Sequence, residues 1–234
     1  MKISQKLNYF TRAEKLLWIV SVLCIVISFM CFDRANYMTL IASLIGATSL
    51  IYNAKGNPFG QMLMIVFSML YGVISWRFAY YGEMITYVGM TAPMALVSLL
   101  SWIRNPYQGN HAEVRVGKVS KQEALFMLAL SGAVTLVFFF ILRAFGTTYL
   151  APSTLSVTTS FIAVYLTFRR SAYFALAYAA NDLVLILLWS LASLESPSYF
   201  SVVVCFMAFL VNDFYGYINW RRMHIRQRRC EQTA

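Results

Sequence analysis

Residues 178–189 read YAANDLVLILLW and residues 209–220 read FLVNDFYGYINW, two long apolar runs that each contain an Asn-Asp pair. A carboxylate at the centre of a membrane-spanning helix costs about 2.5–3.5 kcal/mol on insertion scales, so such residues face a protein interior or a cavity. Adjacent helical residues point about 100° apart. We therefore expect one member of each pair, Asn181–Asp182 and Asn212–Asp213, to face a cavity while the other braces a neighbouring helix.

The composition of the whole chain excludes a water-soluble domain. Apolar residues make up 60% of the 234 residues, charged residues make up 12%, and the mean hydropathy is +0.64. Soluble proteins have about 45–50% apolar and 25% charged residues, and a chain this apolar cannot cover its core with polar groups. The four cysteines form no CxxC or Cys/His cluster, which argues against disulfide and zinc sites. We attribute the net charge of +10 to cytosolic loops rather than to nucleic-acid binding.

Eight stretches are long and apolar enough to cross a bilayer, which requires about 20 residues. They are residues 16–32, 36–52, 59–79, 83–103, 122–145, 151–168, 171–193 and 198–219. With the N-terminus placed in the cytosol, 16 of the 19 Lys and Arg residues fall on the cytosolic side, and Arg34, Arg77 and Arg143 do not. This split predicts that both termini are cytosolic. We expect the polar loop 104–121 to be a solvated cytosolic connector.

Two triplets of spans share a pattern. Each has a basic turn after its first span and a Trp near the ends of its second and third spans: Lys55, Trp76 and Trp102, then Arg170, Trp189 and Trp220. Two units of three spans keep the same orientation only if one extra span joins them, which 122–145 supplies. We therefore predict an all-α polytopic membrane protein with a 3+1+3 core of parallel repeats and an additional N-terminal helix. The predicted divisions are an N-terminal segment with the extra span (1–35), the first repeat (36–103), a cytosolic loop and linker span (104–145), the second repeat (146–220) and a basic cytosolic tail (221–234). Trp76, Trp102 and Trp220 are expected at the membrane interface.

Polar and aromatic residues at helical spacing form the candidate substrate site, because parallel-repeat transporters bind substrate near the midplane between repeats. The candidates are Gln61, Tyr71, Glu83, Thr86, Tyr178, Asn181, Trp189, Asn212, Tyr215 and Asn219, with Asp182 and Asp213 as a relay or brace. Aromatic faces bind ring systems and cationic ring nitrogens, and Asn amides can bond ribose hydroxyls. Since no Lys or Arg lies near the middle of a span in the proposed repeats, this lining favours a neutral or cationic heteroaromatic substrate over a phosphorylated one.

Three motifs make the chain resemble the PnuC family of vitamin transporters. They are NAKGN at 53–57, YYGEMITY at 80–87 and FLVNDFYGYINW at 209–220, and the resemblance covers about residues 36–222. It implies a 3+1+3 core similar to that of the SWEET sugar transporters, a homotrimer in the bacterial cytoplasmic membrane, and no cofactor. It also implies facilitated diffusion of nicotinamide riboside, which a cytosolic kinase traps by phosphorylation. The matching positions are Tyr81, Gly82, Glu83, Asn181, Trp189, Asn212, Tyr215 and Gly216.

The chain departs from the family pattern in its fourth span, where amides are usual and TYVGMTAPMALV offers only Thr86, Thr91 and Met94. Thiamine, riboflavin and deoxynucleosides, which relatives carry, therefore stay open as substrates. Proton-coupled transport through Asp182 or Asp213 is an alternative to uniport. An enzyme is not expected, because the chain has no HExxH, GxSxG or P-loop motif. A channel or scaffold without a bound substrate is a further alternative.

Overall fold

The computed structural model describes residues 9–77 and 80–233, and eight helices within them are long and apolar enough to cross a membrane. The helices are α1 (Arg12–Phe32), α2 (Tyr37–Ala54), α3 (Phe59–Arg77), α4 (Tyr81–Ile103), α5 (Lys121–Ala144), α6 (Leu150–Phe168), α7 (Phe174–Ser193) and α8 (Phe200–Thr233). The eight predicted spans are thus present. Lys2 and Lys6, which the orientation argument used, lie outside the described residues, as do the last two residues of the third predicted span.

Local sequence explains where several helices begin or change. At α1 the Thr11 hydroxyl accepts from the backbone of Glu14, and the Glu14 carboxylate accepts from the backbone of Thr11, which satisfies two free N–H groups at the helix start. Within α4, residues Tyr87–Thr91 form a π-helical turn just before Pro93. Proline cannot donate the usual helical hydrogen bond, and the wider turn accommodates this loss.

The C-terminal segment corrects the predicted end of the last span. That span was predicted to stop at 219, but α8 continues without a break to Thr233. No Pro or Gly follows Gly216 to stop the helix, and Met223 and Gln227 are buried, with Gln227 hydrogen-bonded to the loop 104–121. The basic tail is therefore a rigid extension of α8 throughout its described length.

The loop 104–121 is also more structured than the sequence predicts. Pro106–Tyr107 and Asn110–Val114 pair as an antiparallel hairpin, β1 and β2. Val114 is fully buried, and its N–H donates to the carbonyl of Gly56 at 2.9 Å. Gln227 on α8 accepts from the backbone of Val116 and donates to the carbonyl of Val114. These backbone contacts fix the loop on the end of the bundle, although every residue of 104–121 except Val114 remains at least partly exposed.

Helix contacts run around the bundle in a regular order. Within each triplet, successive helices pack together, α2 on α3 and α3 on α4, then α6 on α7 and α7 on α8. Between triplets, α2 packs on α8 and α6 packs on α4. The two remaining helices lie outside this ring, with α1 against α2 and α8 and α5 against α6.

Two tryptophans join the triplets. The sequence predicts both at the membrane interface, but the structure buries them inside the protein. Trp102 and Trp220 are fully buried, and their rings lie 5.4 Å apart between centroids. The indole N–H of Trp102 donates to the carbonyl of Thr167 on α6, and that of Trp220 donates to the carbonyl of Asn53 on α2. Each indole N–H thus donates to a carbonyl at the end of the first helix of the opposite triplet. An indole N–H needs a hydrogen-bond partner, and here the protein supplies it instead of water.

Candidate functional site

A small cavity lies at the centre of the ring of six helices. Its volume is about 30 Å³, and it is lined by Leu50, Met64, Phe67, Tyr87, Thr91, Ser160, Tyr178, Asn181, Asp182, Phe206, Phe209 and Asp213. Every helix of both triplets contributes to this lining. A site for a small molecule usually encloses about 300–1,000 Å³, so the helices must separate before a substrate fits.

Asn181 on α7 forms the amide side of the cavity. The hydroxyl groups of Ser156, Thr159 and Ser160 on α6 lie 3.3, 2.8 and 3.0 Å from its Oδ1 and donate to it. These contacts fix the amide oxygen toward α6. Its NH₂ group donates to no protein acceptor in the described chain and remains available to a ligand.

Asp182 and Asp213 form the acidic side, where α7 meets α8. The two side chains are both about 4% exposed and line the same cavity, close enough for their charges to interact. Oδ2 of Asp182 is buried and has no hydrogen-bond partner among the described residues. No Lys or Arg is among the residues that line the cavity in the described structure.

Aromatic rings form a further part of the cavity lining. Phe209 lies 5.7 Å from Phe67 and 5.6 Å from Phe206, each with the rings edge to face. Tyr71 does not line the cavity but packs on two residues that do, with its ring centroid 4.4 Å from that of Tyr87 and 6.0 Å from that of Phe206. The cavity therefore combines aromatic rings with carboxylates and an amide in one lining, a combination suited to a planar ring that also carries polar groups.

Trp189 lies one layer away from the cavity. Its ring packs edge to face on Tyr71 at 6.2 Å and contacts Tyr80 and Tyr199 at 5.0 and 5.5 Å. The predicted residues Tyr178, Asn181, Asp182 and Asp213 are thus brought together at the cavity, whereas Trp189 and Tyr71 form its second layer.

Three predicted residues of α8 point elsewhere. Asn212 donates to the hydroxyl of Ser21 on α1 at 2.8 Å, and Tyr215 donates to Glu14 of α1 at 3.2 Å. Asn219 donates to the carbonyl of Ala54 at 2.7 Å. In this conformation they hold α1 and α2 against α8, and a role for them in substrate binding stays a prediction.

The remaining candidates are buried outside the cavity lining. Gln61 donates to Oδ1 of Asn53 at 2.8 Å, and the Thr86 hydroxyl donates to the carbonyl of Gly82 at 2.9 Å. Glu83 is about 2% exposed, and its Oε2 has no partner among the described residues. Its role also stays a prediction.

Sequence reasoning missed the phenylalanines of the aromatic wall. Phe206, Phe209 and Asp213 lie at positions i, i+3 and i+7 of α8 and share one face. This spacing was available in the sequence, but phenylalanine occurs at so many other positions in the chain that the spacing did not stand out.

A larger cavity of about 450 Å³ lies beside the start of α1. Lys55 there contacts both carboxylate oxygens of Glu14 at 3.1 Å, and Glu14 is about 1% exposed. Burial raises the pKa of the Tyr9 hydroxyl, which donates to the carbonyl of Ala112. These groups already satisfy one another, so we place the substrate site in the smaller central cavity.

Comparison with known proteins identifies the family. A family described as "Nicotinamide mononucleotide transporter" matches residues 36–222. The Nicotinamide riboside transporter PnuC of Neisseria mucosa is 24% identical over 211 residues, covering 88% of this chain and 80% of the relative. The protein of the same name from Haemophilus influenzae is 22% identical over 189 residues, covering 80% of each.

A solved structure shares the fold. The crystal structure of the Vitamin B3 transporter PnuC superposes with a TM-score of 0.82 at 21% identity, covering 93% of this chain and 94% of the other. The resemblance found in the NAKGN, YYGEMITY and FLVNDFYGYINW motifs is therefore confirmed. With the family match spanning 36–222, the chain belongs to the PnuC family of multi-pass membrane transporters.

Proposed function

We propose that this protein carries nicotinamide riboside into the cell by facilitated diffusion. The observation that carries the proposal is the central cavity, which joins aromatic rings, the Asn181 amide and two carboxylates with no basic residue in its described lining. Aromatic faces bind a flat pyridine ring, and the free Asn181 amide can bond a ribose hydroxyl. The two curated relatives are both named for nicotinamide riboside.

The cavity favours the riboside over the mononucleotide in the family description. A phosphate group requires Lys or Arg partners or a cluster of backbone N–H groups, and the described lining offers neither. Asp182 and Asp213 would instead repel it. Thiamine, riboflavin and deoxynucleosides are the alternatives, since each combines a ring system with hydroxyl groups and lacks phosphate.

The proposed mechanism is rocking of one helix triplet against the other around the central cavity. The helix contacts support a 3+1+3 arrangement of parallel repeats, because the first helix of each triplet packs on the third helix of the other. The matched hydrogen bonds of Trp102 and Trp220 support it further. The 30 Å³ cavity then represents the closed state between the two openings.

The remaining parts of the proposal concern the cell. The distribution of Lys and Arg supports cytosolic termini, in the cytoplasmic membrane of a bacterium. We further propose a homotrimer as the assembly. A cytosolic kinase would phosphorylate the imported riboside, and the charged product could not leave through a cavity without basic residues.

Uptake into proteoliposomes tests this proposal. Purified protein is reconstituted, and entry of labelled nicotinamide riboside is followed without an ion gradient or ATP, with nicotinamide mononucleotide as the comparison. We expect uptake and counterflow of the riboside and none of the mononucleotide. Absence of counterflow for every heteroaromatic vitamin would overturn the substrate class.

Proton-coupled transport is a second candidate, favoured by the contact between Asp182 and Asp213. Two adjacent carboxyls can hold and release a proton inside a membrane protein. The same proteoliposomes distinguish the two mechanisms, since a pH gradient drives accumulation above equilibrium only in a coupled carrier. If Asp182→Asn and Asp213→Asn keep full uptake, coupling through this pair is excluded.

A further inference from the structure

The carboxyl pair of Asp182 and Asp213 has no counter-charge in the described protein. Both side chains are buried, they line the same cavity, and that lining contains no Lys or Arg among the described residues. Removing one such group from water is costly, and bringing two together adds repulsion. A buried acidic pair of this kind needs either a proton or an external cation.

The neighbouring asparagines, and not the two aspartates, join these helices by hydrogen bonds. Asn212 holds α1 through Ser21, and Asn181 holds α6 through three hydroxyl groups. Oδ2 of Asp182 is buried and has no hydrogen-bond partner among the described residues. A group that only joined helices would have such a partner.

Aromatic residues in the same lining are suited to the same charge. Phe67, Tyr87 and Phe209 line the cavity together with the two aspartates, and aromatic faces attract cations, most strongly when water is excluded. A flat cation in this cavity is therefore stabilised by both the carboxylates and the aromatic rings. A neutral ring of the same shape gains only the stacking contribution.

From these contacts we propose that Asp182 and Asp213 form a cation-binding subsite for the positively charged ring of the substrate. The transporter then selects heteroaromatic cations bearing a ribose over neutral compounds of the same shape. This inference rests on the proposed function, since it assumes that the riboside enters this cavity. Nicotinamide riboside carries a fixed positive charge on its ring nitrogen, and its dihydro form has the same skeleton without the charge.

The experiment compares these two ligands on the purified full-length protein. Affinities are measured by titration for the wild type, Asp182→Asn and Asp213→Asn, with Asp33→Asn as a control. Asp33 is a carboxylate at the end of α1 that accepts from Asn36 and lies outside the cavity lining. The ratio of the two affinities reports charge recognition, and binding of the neutral dihydro form reports whether a variant is folded.

We expect the wild type and Asp33→Asn to prefer the cation, and each cavity variant to lose about 10- to 100-fold in cation affinity. Affinity for the dihydro form should change little. An unchanged ratio in both cavity variants would overturn the inference. If a variant does not fold, the wild type still decides, because equal affinity for the two ligands overturns the subsite. Wild-type protein that binds neither ligand refutes the proposed function instead.

Discussion

Replacing Gly46 of α2 with alanine should block the central cavity. An alanine Cβ at this position would lie 2.4 Å from Cζ of Phe209 and 3.1 Å from the Phe67 ring. Both rings line the cavity. The Phe209 ring must retreat by about 1 Å to reach ordinary van der Waals contact, for which 3.4 Å is the lower limit.

The direction of that movement follows from the packing. Phe209 is held on its other sides by Phe67 and Phe206, and the cavity offers the nearest free space. Overpacking of a well-packed interior costs about 1–3 kcal/mol. If substrate binding must overcome this cost, affinity falls roughly 5- to 160-fold.

The matched control is Gly132→Ala on α5. An added Cβ there meets nothing within 4 Å, and alanine is favoured over glycine inside a helix by about 1 kcal/mol. We expect Gly132→Ala to retain uptake and to melt at the same or a slightly higher temperature. Gly46→Ala should melt lower and bind substrate more weakly.

Thermal unfolding in detergent and nicotinamide riboside titration are the two measurements. The reasoning is refuted if Gly46→Ala binds the riboside with wild-type affinity while its melting temperature falls. That result would mean that the Phe209 side of the cavity does not contact substrate. Wild-type behaviour in both measurements would show that α2 and α8 are further apart than the structure has them.

Three further changes separate binding from stability. Asn181→Ala should weaken riboside binding about 2- to 12-fold in titration, because one amide hydrogen bond is worth about 0.5–1.5 kcal/mol. Glu14→Ala should destabilise the protein by about 3 kcal/mol, the low end for a broken buried ion pair, while Glu113→Gln at a surface pair should cost about 0–1 kcal/mol. Trp220→Phe should cost about 1 kcal/mol in unfolding experiments, since the carbonyl it leaves keeps a backbone donor.

Each of these has an outcome that contradicts it. Unchanged affinity in Asn181→Ala means that its free NH₂ group does not contact the substrate. Equal melting temperatures for Glu14→Ala and Glu113→Gln mean that the buried Glu14–Lys55 pair does not stabilise the protein. A loss of several kcal/mol in Trp220→Phe means that the ring packing, and not the hydrogen bond, holds the triplets together.

The spans could be predicted because lipid imposes a simple rule on composition. A helix must bury its backbone polar groups and expose apolar side chains, so the eight apolar stretches identified the eight helices. Their ends were less certain. Residues 221–233 are polar and look like a free tail, yet Gln227 and Met223 fix them on the β1–β2 hairpin. Such long-range contacts leave no periodic signal in the sequence.

The tryptophans show the limit of a general tendency. Trp at the end of a span is usually interfacial, and Trp76 is exposed as that rule expects. Trp102 and Trp220 lie at comparable positions in sequence but are fully buried. What distinguishes them is a backbone carbonyl on the opposite triplet, which only the assembled fold supplies.

The two Asn-Asp pairs show why the candidate site was only partly predictable. The sequence identified both pairs as inward-facing but could not say which member meets the cavity. On α8 the expectation of divided roles holds, because Asp213 lines the cavity while Asn212 contacts Ser21. On α7 both Asn181 and Asp182 line the cavity, because α6 supplies hydroxyl groups at the cavity edge.

The difference between the pairs follows from which helix lies beside each. Asn212 is adjacent to α1, a helix outside the two triplets, so an amide there is used to attach the extra helix. Asn181 is adjacent to α6, a helix of the ring itself, so its amide attaches a cavity wall and still faces the cavity. Removing α1 would therefore free the Asn212 N–H that donates to Ser21, whereas the Asn212 Oδ1 is buried and already has no hydrogen-bond partner among the described residues.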